Sequence, residues 1–106
     1  MEPPLTLNTA SLRHVFRTAE HWLELNREPV NAINVYPVPD GDTGTNMLLT
    51  LRAACEAGDA REPADENVGA YMQAIARGAL LGARGNSGVI LSQIIRGLAD
   101  SLAESI

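Results

Sequence analysis

The sequence has no lysine and only one cysteine, and these two scarcities exclude several classes of function. Its eight basic residues are all arginine and stand against thirteen acidic residues, so the formal net charge is −5. A P-loop, a protein-kinase site and a Schiff-base enzyme each need a lysine, which excludes all three. An acidic chain without an arginine cluster is also a poor candidate for holding nucleic acid. Cys55 alone cannot form an internal disulfide, and no paired Cys/His spacing indicates structural zinc, so we expect a reducing environment.

Long hydrophobic runs are also missing. No window approaches about 18 uninterrupted apolar residues, and the start of the chain has prolines and a glutamate where a secretory signal needs a basic end and an apolar core. We therefore expect a cytoplasmic protein with no membrane insertion, in which residues 1–8 are flexible. With 106 residues, 45% of them hydrophobic, the chain fits one small globular domain.

Hydrophobic periodicity predicts an all-α fold. Apolar residues recur at three- and four-residue steps over roughly residues 10–26, 45–57 and 67–82, and again from Gly85 almost to the end of the chain. About four helices in this order predict an antiparallel bundle. The expected N-cap of the first helix is Thr9 or Ser11. The fourth helix is still amphipathic at Ile106, so we expect the domain to continue beyond it.

The histidines and the cysteine do not form a convincing site. His14 and His21 lie about two turns apart on the first helix, so they share a face without meeting at one metal, and we expect them at the surface. Cys55 falls on the apolar stripe of the second helix, where we expect a small buried hydrophobe. The later turns of the third helix consist of alanine and glycine, which allow close helix contact.

The most informative segment spans residues 31–46 and has the sequence NAINVYPVPDGDTGTN. It places two carboxylates, Asp40 and Asp42, at the start of the second helix, with the adaptable Gly41 between them. Two like charges aimed at one point need a cation. Oxygen ligands favour Mg²⁺, Mn²⁺ or Ca²⁺ over zinc, and a short ligand set suits Mg²⁺ shared with phosphates. The alternative is that Asp40, Asp42 and Thr43 only cap the second helix.

A second segment, GARGNSG at residues 82–88, joins the third and fourth helices. Asn86 or Ser87 can cap the fourth helix while the bare backbone lets an anion approach its free N–H groups. Arg84 can bind a phosphate oxygen or hold a carboxylate of the first segment. A plain capped junction, with glycines for close packing, is an equally good interpretation. Together the two segments suggest a metal–nucleotide site that works without lysine.

Residues 31–47 and 82–93 resemble the two signature segments of the nucleotide-binding domain of the dihydroxyacetone kinase L-subunit family. The proline-flanked first segment resembles the fatty acid kinase branch more than the dihydroxyacetone branch. The resemblance covers most of the chain from about residue 8. It implies an antiparallel barrel of eight helices with Mg–ADP or Mg–ATP at one end, of which residues 1–106 would be the N-terminal half.

The resemblance also implies a role for each matching residue. Asp40 and Asp42 would bind two Mg²⁺ ions that bridge the phosphates. The dihydroxyacetone branch has a third aspartate a few residues earlier, where this chain offers Asn34, with Asn31 as a rival. The residues implied to lie beside the phosphates are Gly41, Thr43, Gly44, Thr45 and Asn46 in the first segment and Arg84, Gly85, Asn86, Ser87 and Gly88 in the second.

Three classes of function stay open at this point. The resemblance implies a kinase domain of the fatty acid kinase type that receives its acyl chain from a partner protein and needs the remaining helices of its own domain. Dihydroxyacetone kinase activity, with a partner that presents dihydroxyacetone, is the nearest alternative. A non-catalytic Mg–nucleotide-binding regulatory module is a second class, and a structural bundle whose loops only cap helices is a third. Homo-oligomers are compatible with all three.

Overall fold

A computed structural model describes residues 8–32, 41–60 and 67–105, with side chains through residue 102. No strand occurs in these ranges, so the all-α prediction is confirmed. Four long helices lie within about two residues of where hydrophobic periodicity places them. The predicted flexibility of residues 1–8 falls, apart from Asn8, outside the described ranges. The described helices are α1 (Thr9–Leu25), α2 (Arg27–Ala32), α3 (Thr43–Asp59), α4 (Val68–Leu81) and α5 (Gly85–Ser105).

Two local features differ from the sequence prediction. The sequence prediction does not include the short helix α2, because its six residues are too few to show a helical period. The N-cap of α1 is Asn8, so the prediction of Thr9 or Ser11 is wrong. Asn8 has extended backbone angles and its side chain accepts a hydrogen bond from the Ser11 N–H at 2.8 Å, while the Ser11 hydroxyl accepts one from the Asn8 N–H at 3.1 Å. This reciprocal capping box places Ser11 inside the helix that it helps to begin.

Helix α3 is central, since it packs against each of the other described helices. Its apolar face carries Leu48 and Ala54, which are buried together with Ile75 of α4. Cys55 lies in the same core, 1% exposed, as predicted, and burial raises the pKa of its thiol to about 12. A thiol with that pKa stays protonated at neutral pH, so Cys55 acts as packing and not as a nucleophile. The histidines of α1 are exposed, also as predicted.

One apolar surface of the described helices is uncovered. Trp22 of α1 is 57% exposed, and Ile94 and Leu98 of α5 are 57% and 50% exposed. These side chains line a groove of about 530 Å³ between α1, α3 and α5, referred to below as the apolar groove. Large apolar side chains gathered in one groove are typical of a surface that is buried against something else. No helix in the described part of the chain is long and apolar enough to span a bilayer.

Ion pairs join α1 to α3. Glu20, whose side chain is 13% exposed, accepts hydrogen bonds from Arg17 at 2.7 Å and from Arg52 at 3.1 Å. Asp59 at the end of α3 accepts from Arg13 at 3.0 Å and from Arg17. Partial burial raises the pKa of each carboxyl, but hydrogen bonds from the arginines outweigh it and lower both the Glu20 pKa and the Asp59 pKa. The carboxylates are therefore held in their charged form.

We expect acid to weaken this link. The folded-state pKa values of Glu20 and Asp59 lie below the unfolded values of about 4, so the unfolded state binds more protons. The contribution to stability is complete above about pH 5 and is lost as the pH falls through the folded-state pKa values. Urea unfolding at a series of pH values should show a smaller loss of unfolding free energy on acidification in Glu20→Gln than in the wild type. The exposed Glu28→Gln is the matched control, and a Glu20→Gln profile parallel to the wild type would contradict the prediction.

Candidate functional site

The two segments singled out in the sequence meet where α3 and α5 begin. The Arg84 N–H donates to the Thr50 hydroxyl oxygen of α3 at 3.1 Å. The Ser87 hydroxyl lies 3.5 Å from the Thr43 carbonyl oxygen, near the limit of a hydrogen bond. The N-termini of α3 and α5 are therefore neighbours at the same end of the fold. Each helix start carries N–H groups without partners in its own helix and about half a positive charge, so the pair is suited to an anion.

Asp42 occupies the N-cap position of α3, where its backbone carbonyl accepts the Asn46 N–H at 2.8 Å. Its carboxylate makes no capping hydrogen bond and is exposed. The interpretation of Asp42 as a side-chain cap is therefore not supported, and the carboxylate stays available to a cation. Gly41 before it has φ +63°, a left-handed conformation that favours glycine. The predicted ligands Asp40 and Asn34 lie outside the described residues.

The side chain of Asn31, in α2, is hydrogen-bonded to the first turn of α3. Its amide oxygen accepts the Thr45 N–H at 3.1 Å, and its amide nitrogen donates to the Thr45 hydroxyl at 3.1 Å. Gly44 makes this approach feasible, because a Cβ there would lie 2.6 Å from the Arg27 carbonyl oxygen and 3.0 Å from the Asn31 amide oxygen. Asn31, weighed from the sequence as a rival metal ligand, thus bonds Thr45 through both atoms of its amide. Only the packing of α2 on α3 reveals this contact.

In the second segment, the residue that precedes the first turn of α5 is not the one predicted from the sequence. The Arg84 carbonyl accepts the first helical hydrogen bond of α5, from the Gly88 N–H at 3.1 Å. Asn86 and Ser87 therefore lie inside the first turn, and the prediction that either is the N-cap is wrong. Gly85 has φ +65°, and a Cβ there would overlap the side-chain amide of Asn46. The positive φ lets the chain turn into α5 directly against α3.

Charges are few at this end of the described structure. The Arg84 side chain is exposed and forms no ion pair with any described carboxylate, so its guanidinium remains available to an anion. Within residues 8–32, 41–60 and 67–105 no three His, Cys, Asp or Glu side chains form a metal cluster.

Sequence reasoning missed Thr50. Its side chain is fully buried, and its hydroxyl donates to the Asn46 carbonyl at 2.8 Å while accepting from the Arg84 N–H. Gly88 packs so closely that a Cβ there would overlap the Thr50 hydroxyl oxygen. A threonine between leucines on an amphipathic stripe is the only sign in the sequence, and it does not identify the contact.

Comparisons with known proteins identify the family to which both segments belong. The model of the DAK2 domain matches residues 37–106, which include most of the first segment and all of the second. An uncharacterized protein of Staphylococcus epidermidis is 48% identical over 82 residues, covering 77% of this chain and 14% of that protein. An uncharacterized protein of Staphylococcus aureus strain USA300 is 48% identical over 80 residues, covering 76% of this chain and 14% of that protein.

The chain belongs to the DAK2 domain family, because the family model covers most of its length. This is a kinase-related family of the dihydroxyacetone kinase type. The resemblance drawn from the two segments is thereby confirmed at the level of the family. The chain spans about one seventh of the length of the curated relatives cited above, which are 48% identical to it.

Proposed function

We propose that this chain contributes the nucleotide-binding end of an ATP-dependent phosphotransferase domain. The observation that carries the proposal is the meeting of two helix N-termini beside an uncommitted carboxylate, that of Asp42. A polyanion such as ADP or ATP suits the helix starts, and a divalent cation suits the carboxylate. Membership of a kinase-related family also supports a phosphotransferase function.

The donor set at α3 fits magnesium. Asp40 and Asp42 would bind two Mg²⁺ ions through their carboxylate oxygens, since oxygen ligands and shared phosphates are what this ion prefers. Asn34 would supply a further oxygen. Asn31 is the weaker candidate, because Thr45 already engages its amide oxygen and nitrogen. Bound Mg²⁺ would neutralise charge on the phosphates, which removes the need for the lysine that this chain lacks.

The backbone of both segments would hold the phosphates. Main-chain N–H groups at the start of α3 and α5 supply fixed dipoles, and the Arg84 guanidinium supplies a mobile positive charge. Glycines at the first turns keep the backbone accessible. Phosphoryl transfer by such a site depends on positioning and charge stabilisation. The residues proposed to line the phosphates are Gly41, Thr43, Gly44, Thr45, Asn46, Arg84, Gly85, Asn86, Ser87 and Gly88.

The acceptor would come from elsewhere. We propose a cytoplasmic fatty acid kinase type of activity in which a partner protein presents the acyl carboxylate, with dihydroxyacetone kinase activity as the alternative. The remaining helices of the same domain would cover the apolar groove, which has Trp22, Ile94 and Leu98 exposed. This agrees with relatives much longer than the chain. A regulatory module would use the same loops without a transfer partner.

Thermal melts with ADP, with Mg²⁺ and with both test the binding step. We expect the melting temperature to rise only when both are present, because the metal and the phosphates complete each other's coordination. At a ligand concentration 100-fold above Kd the stabilisation is about 2.7 kcal/mol. Asp40→Ala and Asp42→Ala should each abolish the rise. Without ligand, Asp42→Ala should still fold, because the Asp42 carboxylate makes no capping bond.

Glu56→Ala is the matched control, since it removes an exposed carboxylate from α3 away from the helix start. It should keep the full ligand-dependent rise. A wild-type melt that is unchanged by ADP and Mg²⁺ together would reject nucleotide binding by this chain. If binding is present, turnover of ATP on addition of the acceptor-presenting protein separates a kinase from a regulatory module, which should show none.

A further inference from the structure

The hydroxyl of Thr50 links α3 directly to residues 84–88, the turn at which α5 begins. It is fully buried, accepts the Arg84 N–H at 3.1 Å and donates to the Asn46 carbonyl at 2.8 Å. A helical threonine often bonds back to the carbonyl four residues earlier. Thr50 at the same time accepts a hydrogen bond from another segment, through one of the two lone pairs of its hydroxyl oxygen.

Two glycines of the turn are shaped to this hydroxyl and to its neighbour on α3. Gly88 has no room for a side chain, because a Cβ would overlap the Thr50 hydroxyl oxygen, and a Cβ at Gly85 would overlap the Asn46 amide. The backbone of the turn therefore lies directly on α3. The other polar contact, from Ser87 to the Thr43 carbonyl, is long at 3.5 Å and adds little. Of these two contacts, the one made by Thr50 is the shorter and the better hydrogen bond.

We infer that Thr50 is a positioning residue for the phosphate site. Its hydroxyl holds the turn at residues 84–88 in register with the first turn of α3, so that N–H groups from both helix starts act on the same phosphate group. The inference rests on the Mg–nucleotide function proposed above. Because Thr50 is buried, it would not touch the nucleotide itself and would act through the backbone of Arg84 and Gly88. A purely structural threonine would affect folding and leave affinity unchanged.

Thr50→Val and Thr50→Ser separate the hydroxyl from the bulk of the side chain. Valine keeps the shape and removes the hydrogen bonds, whereas serine keeps the hydroxyl and loses a methyl group. Mg–ADP affinity is measured by titration calorimetry well below the melting temperature, so that each variant is fully folded. Hydrogen exchange of the Arg84 amide without nucleotide reports the local contact. We expect Thr50→Val to bind Mg–ADP about ten-fold more weakly, the order of effect of one lost hydrogen bond, and to exchange the Arg84 amide faster.

Thr50→Ser should bind within about two-fold of the wild type and protect the Arg84 amide, because it keeps the hydroxyl. Wild-type affinity in Thr50→Val would overturn the inference, and so would equal weakening in Thr50→Ser. If Thr50→Val does not fold, Thr50→Ala is the second variant without a hydroxyl, with the same expected result. A wild type that binds no Mg–ADP would overturn the proposed function and this inference together, whereas normal binding in both wild type and Thr50→Val overturns the inference alone.

Discussion

Replacing Gly78 with alanine should destabilise the fold by about 3 kcal/mol, the largest loss expected from adding a single methyl group to the described helices. Gly78 lies where α4 crosses α3 most closely. A Cβ there would lie 2.5 Å from the Ala57 Cβ, 2.8 Å from the Ala53 carbonyl oxygen and 3.2 Å from the Ala54 Cα. All three atoms belong to the α3 backbone or are attached rigidly to it, so no side-chain rotation relieves the overlap. The helices must separate, which opens the core.

Gly97→Ala is the matched control for this prediction. Gly97 lies on α5, and a Cβ there would meet no described atom within 4 Å. Alanine should therefore stabilise the chain by about 0.5–1 kcal/mol, through its higher helix propensity and the reduced entropy of the unfolded state. Urea unfolding of both variants gives the two free energies. A Gly78→Ala variant that is as stable as the wild type, or more stable, would show that α3 and α4 do not cross as closely as the structure has them.

Gly88→Ala should also destabilise the fold, with a loss of about 2 kcal/mol. The new Cβ would overlap the hydroxyl oxygen of Thr50, while its next contacts, the Ala83 carbonyl carbon and the Asn46 carbonyl oxygen, lie at an ordinary 3.5 Å. Thr50→Ala removes the overlapped atom and leaves a space that the added methyl can fill. The double variant should therefore be more stable than the sum of the single losses predicts, by about 1–2 kcal/mol.

A double-mutant cycle on unfolding free energies measures this coupling. Thr50→Ala alone should lose stability, because the Arg84 N–H loses its acceptor and the core loses contacts. The cycle uses no nucleotide, so it tests the packing of α5 on α3 independently of the proposed function. Additive losses would mean that Gly88 and Thr50 are not in contact. Mg–ADP binding by the double variant should still be weak, because restored packing does not restore the Thr50 hydroxyl.

The sequence alone predicts the four long helices and the two segments of the site, but not the short helix α2. Helical hydrogen bonds join residues four apart, so their pattern and the apolar period are local and can be read without a fold. The Ala/Gly turns of α4 predict close helix contact, which the approach of Gly78 to Ala57 confirms. Capping is local too, but the predictions of Thr9 or Ser11 for α1 and of Asn86 or Ser87 for α5 are wrong, because several adjacent polar residues competed for each position.

Tertiary structure decides what the site is made of. Asn31 and Thr45 are separated by 14 positions, and Thr50 and Arg84 by 34, and each pair is hydrogen-bonded. Contacts over such distances depend on how α2, α3 and α5 pack, and no periodic pattern encodes them. The Asp42 carboxylate makes no capping bond, although its position alone predicts a cap, because its backbone angles (φ −121°, ψ 8°) are not the extended ones of a capping residue. The sequence thus shows which polar residues lie near a helix start, because helix boundaries are local. Which contacts those residues make is decided by the neighbours that the tertiary structure brings to them.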